Sequence, residues 1–174
     1  MPLASRIRLG RIGSVHGLQG EIRLRVPAPL EGAFAGLRRA YLAPDGEEGR
    51  PVPIDSSRRH GDVFLVKFQG VNDRNGAEEL RGLDVLAARG DLEEAGAAGP
   101  FPEDLDGIRV ETREGKPVGV LVETLEYPAG ALYRVLDGEK EHLIPGAPEI
   151  VLSIDLESGR MIIAPPPGLL ELNE

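Results

Sequence analysis

The chain has 174 residues, of which 41% are hydrophobic and 28% charged, so one or two packed domains fit its length. It has no cysteine, which excludes a disulfide scaffold, a cysteine nucleophile and a thiolate zinc site. The formal net charge is −9, and no stretch approaches the roughly 18 apolar residues that a membrane-spanning helix needs, so we expect a soluble cytoplasmic protein without membrane association.

The first half alternates apolar and charged residues with a period of two, which is the pattern of half-buried β-strands. Ile22, Leu24 and Val26 give the clearest example, because Glu or Arg precedes each of them. Gly and Pro separate nearly all of these runs. Strands are predicted near residues 6–9, 21–26, 38–43, 51–57, 63–68 and 83–87.

One short helix is predicted over residues 73–81, where the period changes. Either Asn75, which has capping-box spacing, or Asp73 could cap its start, and Gly82 is a plausible C-terminal cap. Residues 88–103 follow, rich in Gly, Ala and Pro, and their composition indicates a linker between domains.

Alternation resumes after the linker, with strands predicted near residues 108–111, 118–122, 132–136, 142–144, 150–154 and 161–163. Spacing of roughly 8–12 residues is typical of small barrels and sandwiches. The predicted fold class is therefore all-β, with two small β-barrels in tandem joined by a Gly/Ala/Pro-containing linker and one short helix in the N-terminal half. The predicted boundaries are residues 1–87 for the first barrel, 88–103 for the linker and 104–174 for the second barrel.

Sequence signatures of catalysis are absent. His16, His60 and His142 have no metal-binding spacing, and the chain contains no G-x-S-x-G, Walker or dinucleotide-binding motif. We therefore expect a protein that is not an enzyme and needs no cofactor or metal. Residues 17–20 have the G-x-x-G form of a KH loop, but both flanks read as strands, which favours a hairpin turn.

A group of basic residues near the amino terminus could contact RNA phosphates: Arg8, Arg11, His16, Arg23 and Arg25. Arg23 and Arg25 share one strand face, which would concentrate positive charge. However, Glu21 lies on the same face, and arginines on strand faces are commonly just solvated. Both interpretations remain open from the sequence.

Phe101 lies between Pro100 and Pro102 in a segment of otherwise small residues. An exposed aromatic ring held between rigid prolines would make a good interface anchor, because little conformational entropy is lost on binding. The alternative is that Phe101 pins the linker against one of the barrels.

Several segments in a fixed order carry a resemblance that covers nearly the whole chain. They are GRIGSVHGLQGEIRL at residues 10–24, KFQGVNDRNGAEELRG at 67–82, DLDGIRV at 104–110, LIP at 143–145, PEIV at 148–151, DLESGR at 155–160 and PGLLEL at 167–172. Together they resemble the signatures of the RimM family of ribosome maturation factors. Each segment alone is weakly specific, and their order makes the resemblance strong.

The resemblance implies a six-stranded N-terminal barrel similar to a translation-factor barrel, followed by a PRC-barrel. It also implies binding to the nineteenth small-subunit ribosomal protein, with roles in maturation of the subunit head and processing of precursor small-subunit RNA. The charge distribution fits this: residues 1–86 carry 13 Arg and Lys against 11 Asp and Glu, whereas residues 87–174 carry 7 against 18. An acidic half suits a basic protein, and a mildly basic half could lie nearer RNA.

We therefore expect a monomer that acts by binding alone on the immature small subunit, with a general RNA-binding barrel as the alternative. The chain departs from the family where many members have a Tyr-Tyr pair before the second barrel, because Pro100, Phe101 and Pro102 stand there. The resemblance makes these residues the candidates for partner binding, and Tyr127 and Tyr133 could compensate for the missing pair.

Overall fold

The computed structural model describes residues 5–45, 47–127 and 129–172. The chain forms two compact units that part between Gly99 and Pro100. Both units are built mainly from β-strands, which confirms the all-β prediction.

The first unit is a closed barrel of six antiparallel strands: β1 (Arg6–His16), β2 (Glu21–Leu24), β3 (Arg39–Ala43), β4 (Arg50–His60), β5 (Val63–Phe68) and β6 (Asp84–Ala88). Their order around the barrel is β1-β2-β5-β4-β3-β6. All six lie where the alternation predicts strands, although β1 and β4 each extend to 11 residues.

Apolar residues at alternate strand positions fill the barrel. Ile7, Leu9, Ile22 and Leu24 are all fully buried, as their alternation with charged residues predicts. β5 is different, because its consecutive residues 64–66 are all buried. Both faces of β5 are therefore covered at these positions.

Three short helices accompany this barrel: α1 (Glu31–Phe34), α2 (Arg74–Glu78) and α3 (Arg89–Glu94). The predicted helix corresponds to α2, and the cap is Asp73 rather than Asn75, because the Asp73 carboxylate accepts a hydrogen bond from the Gly76 N–H at 2.7 Å. The prediction of a single helix in this half is incomplete, because α1 and α3 were not predicted.

α3 lies inside the segment expected to be a linker, residues 88–103. Its Leu92 is fully buried, and the Asp91 carboxylate accepts two hydrogen bonds from Arg39 of β3, at 2.9 and 3.3 Å. The beginning of this segment is therefore packed structure of the first unit, because one leucine within a small-residue composition suffices to fix a helical turn against the barrel.

The second unit begins with the helix α4 (Pro102–Leu105), followed by β7 (Arg109–Thr112), β8 (Pro117–Tyr127), β9 (Gly130–Asp137), β10 (Lys140–Pro145), β11 (Val151–Asp155) and β12 (Arg160–Ile163). The strands form one sheet in the order β10-β9-β8-β7-β12-β11, in which β12 and β7 pair in parallel and the other described pairs are antiparallel. Every strand contributes to a single apolar cluster, whose members include Val110, Leu121, Val135, Ile144, Ile154 and Met161. The sheet therefore wraps around one core.

Candidate interaction surfaces

Two of the arginines predicted to contact RNA are held by a buried carboxylate. Arg8 and Arg11 of β1 each donate through Nε to Oδ1 of Asp84, both at 3.1 Å. Asp84 begins β6 and is only 4% exposed, so these bonds join the two strands that close the barrel. The hydrogen bond with Asp84 also raises the pKa of the Arg11 guanidinium. The charges of both arginines are therefore partly neutralised within the fold.

Arg25, the residue that follows β2, forms an exposed ion pair with Asp62, at 2.9 Å. Ion pairs of this kind contribute little to stability, since both groups remain largely hydrated. Arg25 therefore stays accessible to a partner, but its charge is matched locally.

The guanidinium of Arg23 is held by neutral groups. Its Nη1 donates to Ser14 Oγ at 2.8 Å and to the Val15 carbonyl at 3.1 Å, and its Nη2 lies 3.1 Å from His16 Nδ1. Arginine has no acceptor atom, so His16 Nδ1 must accept this bond. The His16 ring is therefore neutral in this arrangement and carries its proton on Nε2.

His60 completes a small group with Arg23 and His16. Its ring centroid lies 5.3 Å from that of His16. His16 ends β1 and His60 ends β4, and the two rings meet although β2 and β5 lie between these strands in the barrel. We call His16, Arg23 and His60 the histidine–arginine cluster. Nothing in the sequence indicates that His60 belongs here, because only the folded barrel places it beside His16, 44 residues earlier in the chain.

Arg58 of β4 lies next to this cluster. It donates two hydrogen bonds to the Glu21 carboxylate, both at 3.3 Å. Glu21 is the acidic residue that argued against RNA binding on this face. Its carboxylate pairs with Arg58 and not with Arg23.

Residues 17–20 form the hairpin turn between β1 and β2, as predicted in preference to a KH loop. Gly20 has a φ of 92°, and a Cβ there would lie 2.3 Å from the Val71 carbonyl oxygen, so only glycine fits. Arg74 of α2 donates to the Gly17 carbonyl at 3.4 Å. Leu18 at the tip is 76% exposed.

The ring of Phe101 is not displayed on the surface. Phe101 is 2% exposed, its N–H donates to Oδ2 of Asp104 at 3.0 Å, and the Asp104 N–H donates back to its carbonyl at 2.9 Å. The premise of an exposed anchor is therefore wrong, because burial removes this large apolar ring from water. The alternative, a ring that fixes this segment to folded structure, fits the observed burial. Pro100 remains exposed and Pro102 half-buried.

Of the two candidate tyrosines, only Tyr127 offers an accessible ring. It ends β8 and is 54% exposed, whereas Tyr133 of β9 packs against the core of the second unit. Burial, assisted by the charge of Glu126, raises the pKa of the Tyr133 hydroxyl, and burial also raises the pKa of Glu126.

The second unit accounts for the whole formal net charge of −9. Residues 100–174 contain six Arg and Lys against 15 Asp and Glu, whereas residues 1–99 contain 14 of each. Burial and the nearby charge of Glu123 raise the pKa of Asp106, which means that the charged form of Asp106 is poorly stabilised. A cation brought to this position would stabilise that charged form.

Two further features bear on the class of protein. Within residues 5–45, 47–127 and 129–172, no helix is long and apolar enough to cross a membrane. In the same described ranges, no group of three His, Asp or Glu residues is placed to hold a metal ion.

The closed barrel and the second six-stranded sheet define a two-domain all-β protein. The profile of the RimM N-terminal domain matches residues 7–92, and that of the RimM PRC barrel domain matches residues 102–169. The chain therefore belongs to the RimM family of ribosome maturation factors, which confirms the resemblance found in the sequence.

Relatives match over nearly their full lengths. The chain is 38% identical over 172 residues to the ribosome maturation factor RimM of Thermobifida fusca, covering 96% of this chain and 98% of that protein. It is 37% identical over 183 residues to the RimM of Frankia alni, with the same two coverages.

Two solved structures are also similar. The crystal structure of a RimM protein from Pseudomonas aeruginosa is 27% identical, with 92% of this chain and 98% of that chain covered and a TM-score of 0.46. The solution structure of the N-terminal domain of RimM from Thermus thermophilus is 32% identical, with 51% and 95% covered and a TM-score of 0.42.

Proposed function

We propose that this protein is a non-enzymatic accessory factor of small-ribosomal-subunit assembly that acts in the cytoplasm as a monomer. It binds the nineteenth small-subunit ribosomal protein in the immature subunit, and thereby supports maturation of the head and processing of precursor small-subunit RNA. The observation that carries this proposal is the acidic second unit, with six basic against 15 acidic residues. Such a surface attracts a basic protein and repels the RNA around it.

The second unit also has features suited to a cationic partner. Burial, and secondarily Glu123, disfavours the charged form of Asp106, and an approaching lysine or arginine would stabilise that form. Tyr127 adds an exposed ring at the end of β8, and aromatic rings are frequent anchors at the centres of interfaces. We propose Tyr127 as the anchor in place of the buried Phe101.

Binding alone can assist assembly only if the factor prefers one state of the subunit. A ligand shifts an equilibrium by its difference in affinity for the two states. The factor must therefore bind the unfinished head more tightly than the mature head, and leave when mature contacts replace its own.

The test is co-sedimentation of the purified protein with mature small subunits, small-subunit precursors and complete ribosomes. We expect selective pelleting with the precursors. Equal binding to all three particles, or binding to none, would overturn the proposal. Tyr127→Ala should weaken binding to precursors by about 1–3 kcal/mol. Leu172→Ala removes another exposed apolar side chain of the second unit and serves as the matched control.

A second candidate function is a general RNA-binding module. The observation that favours it is Arg23, whose guanidinium contacts Ser14, Val15 and His16 and not a carboxylate. A general RNA binder would bind unrelated RNAs equally, with an affinity that falls steeply with salt, and would not distinguish precursors from mature subunits.

A further inference from the structure

We propose that the histidine–arginine cluster on the outer face of the first barrel is a binding site for a backbone phosphate of RNA. The inference rests on the proposed function, since RNA is the polyanion that a ribosome maturation factor encounters. It goes beyond that function by naming a site, its ligand chemistry and the residues that form it.

The first argument is that Arg23 differs from the arginines around it. The neighbouring arginines are matched by carboxylates: Arg8 and Arg11 by Asp84, Arg25 by Asp62, and Arg58 by Glu21. Among the described residues, no carboxylate forms an ion pair with Arg23. Its positive charge is therefore available to an external anion.

The second argument is that Arg23 is already positioned. Bonds to Ser14, to the Val15 carbonyl and to His16 use three of its five N–H groups and fix the plane of the guanidinium. The Nε–H and the second Nη2–H remain for a ligand, and a planar pair of donors matches two oxygens of a phosphate. Because the side chain is held before binding, little rotamer entropy is lost when a phosphate arrives.

The third argument is the orientation of the His16 proton. Nδ1 accepts from Arg23, so Nε2 carries the proton and is a hydrogen-bond donor on the other side of the ring. His60 lies 5.3 Å from it, ring centre to ring centre, and is exposed. One cation and two imidazoles thus face the same region, and one of the imidazoles is a fixed donor.

The surroundings favour a polymer over a small free anion. The cluster lies on an open outer face rather than in an enclosed cavity, and small ligands generally need enclosure to bind well. Arg25 lies two residues after Arg23, and Arg58 binds the Glu21 that pairs with His16; their side chains are 64% and 61% exposed. The pair between Arg25 and Asp62 is exposed on both sides and is easily exchanged for a phosphate contact, whereas Arg58 stays with Glu21. A second phosphate of one RNA strand could therefore be bound beside the first.

The test uses the full-length protein and a short RNA stem–loop, with affinity measured by fluorescence anisotropy over a range of KCl concentrations. Arg23→Gln should weaken binding about three- to tenfold and reduce the slope of log K against log salt by about one. His60→Ala should weaken binding as well. Arg50→Gln is the matched control, because Arg50 is exposed at the opposite end of β4 from His60. Amide NMR spectra verify that each variant is folded.

The outcomes separate this site from the proposed function. Loss of affinity in Arg23→Gln but not in Arg50→Gln supports the site. Equal loss in both variants would mean diffuse charge attraction and would overturn it. The site is also overturned if the wild-type protein sediments with precursor subunits but does not bind the stem–loop. A third contrary result would be that Arg23→Gln leaves RNA binding unchanged and weakens only the binding of the nineteenth small-subunit ribosomal protein. Failure of wild-type protein to sediment with precursors would instead count against the proposed function.

Nitrogen-15 NMR of the imidazoles gives an independent readout. His16 should be the Nε2–H tautomer in the free protein, and its Nε2 resonance should shift when RNA is added. Inorganic phosphate at high concentration should produce a weaker shift at the same nitrogen. An Nδ1–H tautomer would contradict the hydrogen bond from Arg23 on which the site depends.

Discussion

Replacing Phe101 by alanine should destabilise the folded protein rather than remove an exposed anchor. Phe101 is 2% exposed, so nearly all of its ring area is out of water. Burial of a ring of this size and the cavity left by its removal correspond to about 3–5 kcal/mol. With a urea dependence of about 2 kcal/mol per molar, the unfolding midpoint should fall by about 1.5–2.5 M.

Urea titrations monitored by amide NMR can assign this loss to one unit. The chain has no tryptophan, but Tyr41 reports on the first unit and Tyr127 and Tyr133 on the second, so tyrosine signals separate the two. Phe101→Leu keeps an apolar side chain and should lose less stability. A Phe101→Ala variant that unfolds at the wild-type urea midpoint but binds the nineteenth small-subunit ribosomal protein more weakly would refute this reasoning. Phe101 would then be an interface anchor after all.

Three further substitutions test other parts of the structure. Asp84→Asn should lower the free energy of unfolding by about 1–3 kcal/mol in urea titrations, because the bonds from Arg8 and Arg11 lose their charged acceptor; unchanged stability would contradict the role of Asp84 in closing the barrel. His142→Leu should keep or raise the thermal midpoint, since the buried His142 Nδ1 has no hydrogen-bond partner within the described residues; a large loss would reveal one. Burial raises the pKa of Glu126, so the folded state disfavours its charged form and the free energy of unfolding falls as pH rises through that pKa. Glu126→Gln should therefore raise the thermal midpoint at pH 7. It should not do so near about pH 3, where the glutamate is protonated and both side chains are neutral.

The strands could be predicted because their burial follows from local alternation. In β2 the sequence Glu-Ile-Arg-Leu places Ile22 and Leu24 inside the barrel, and the structure buries both completely. α1 could not be predicted in this way, because it contains Gly32 and has no side-chain cap. It forms where Phe34 meets Phe64 edge to face, at a centroid distance of 4.9 Å. Packing from a distant strand, rather than local propensity, stabilises this turn.

The length of β1 also could not be predicted from the sequence. Glycine commonly marks the end of a strand, yet β1 continues through Gly10, where the pairing with β6 shifts register. Gly10 has a φ of 155°, and a Cβ there would lie 2.5 Å from the Arg25 carbonyl oxygen. The glycine therefore permits close approach of β2 and allows the strand to bend, and the sequence alone cannot distinguish this role from that of a turn.

The residue types of the candidate RNA surface could be predicted, but their separate roles could not. Arg8, Arg11 and Arg23 look alike in the sequence, since each alternates with apolar residues of a strand. Their partners decide what they do, and Asp84 lies 76 and 73 residues from the first two. Only the closure of β6 onto β1 brings that carboxylate under both of them.

Ion pairing between strands also explains how a unit with no net charge can present one accessible positive charge. Residues 1–99 carry 14 basic and 14 acidic side chains, so the overall field of the first unit is weak. Many arginines of this barrel form ion pairs with carboxylates of other segments. Arg58 neutralises Glu21 in this way, and Glu21 is the acidic residue that lies opposite His16 in the β1–β2 pairing. Arg23, bound by a hydroxyl, a carbonyl and an imidazole, keeps its charge. A short-range phosphate contact therefore follows from local pairing, and net charge would not reveal it.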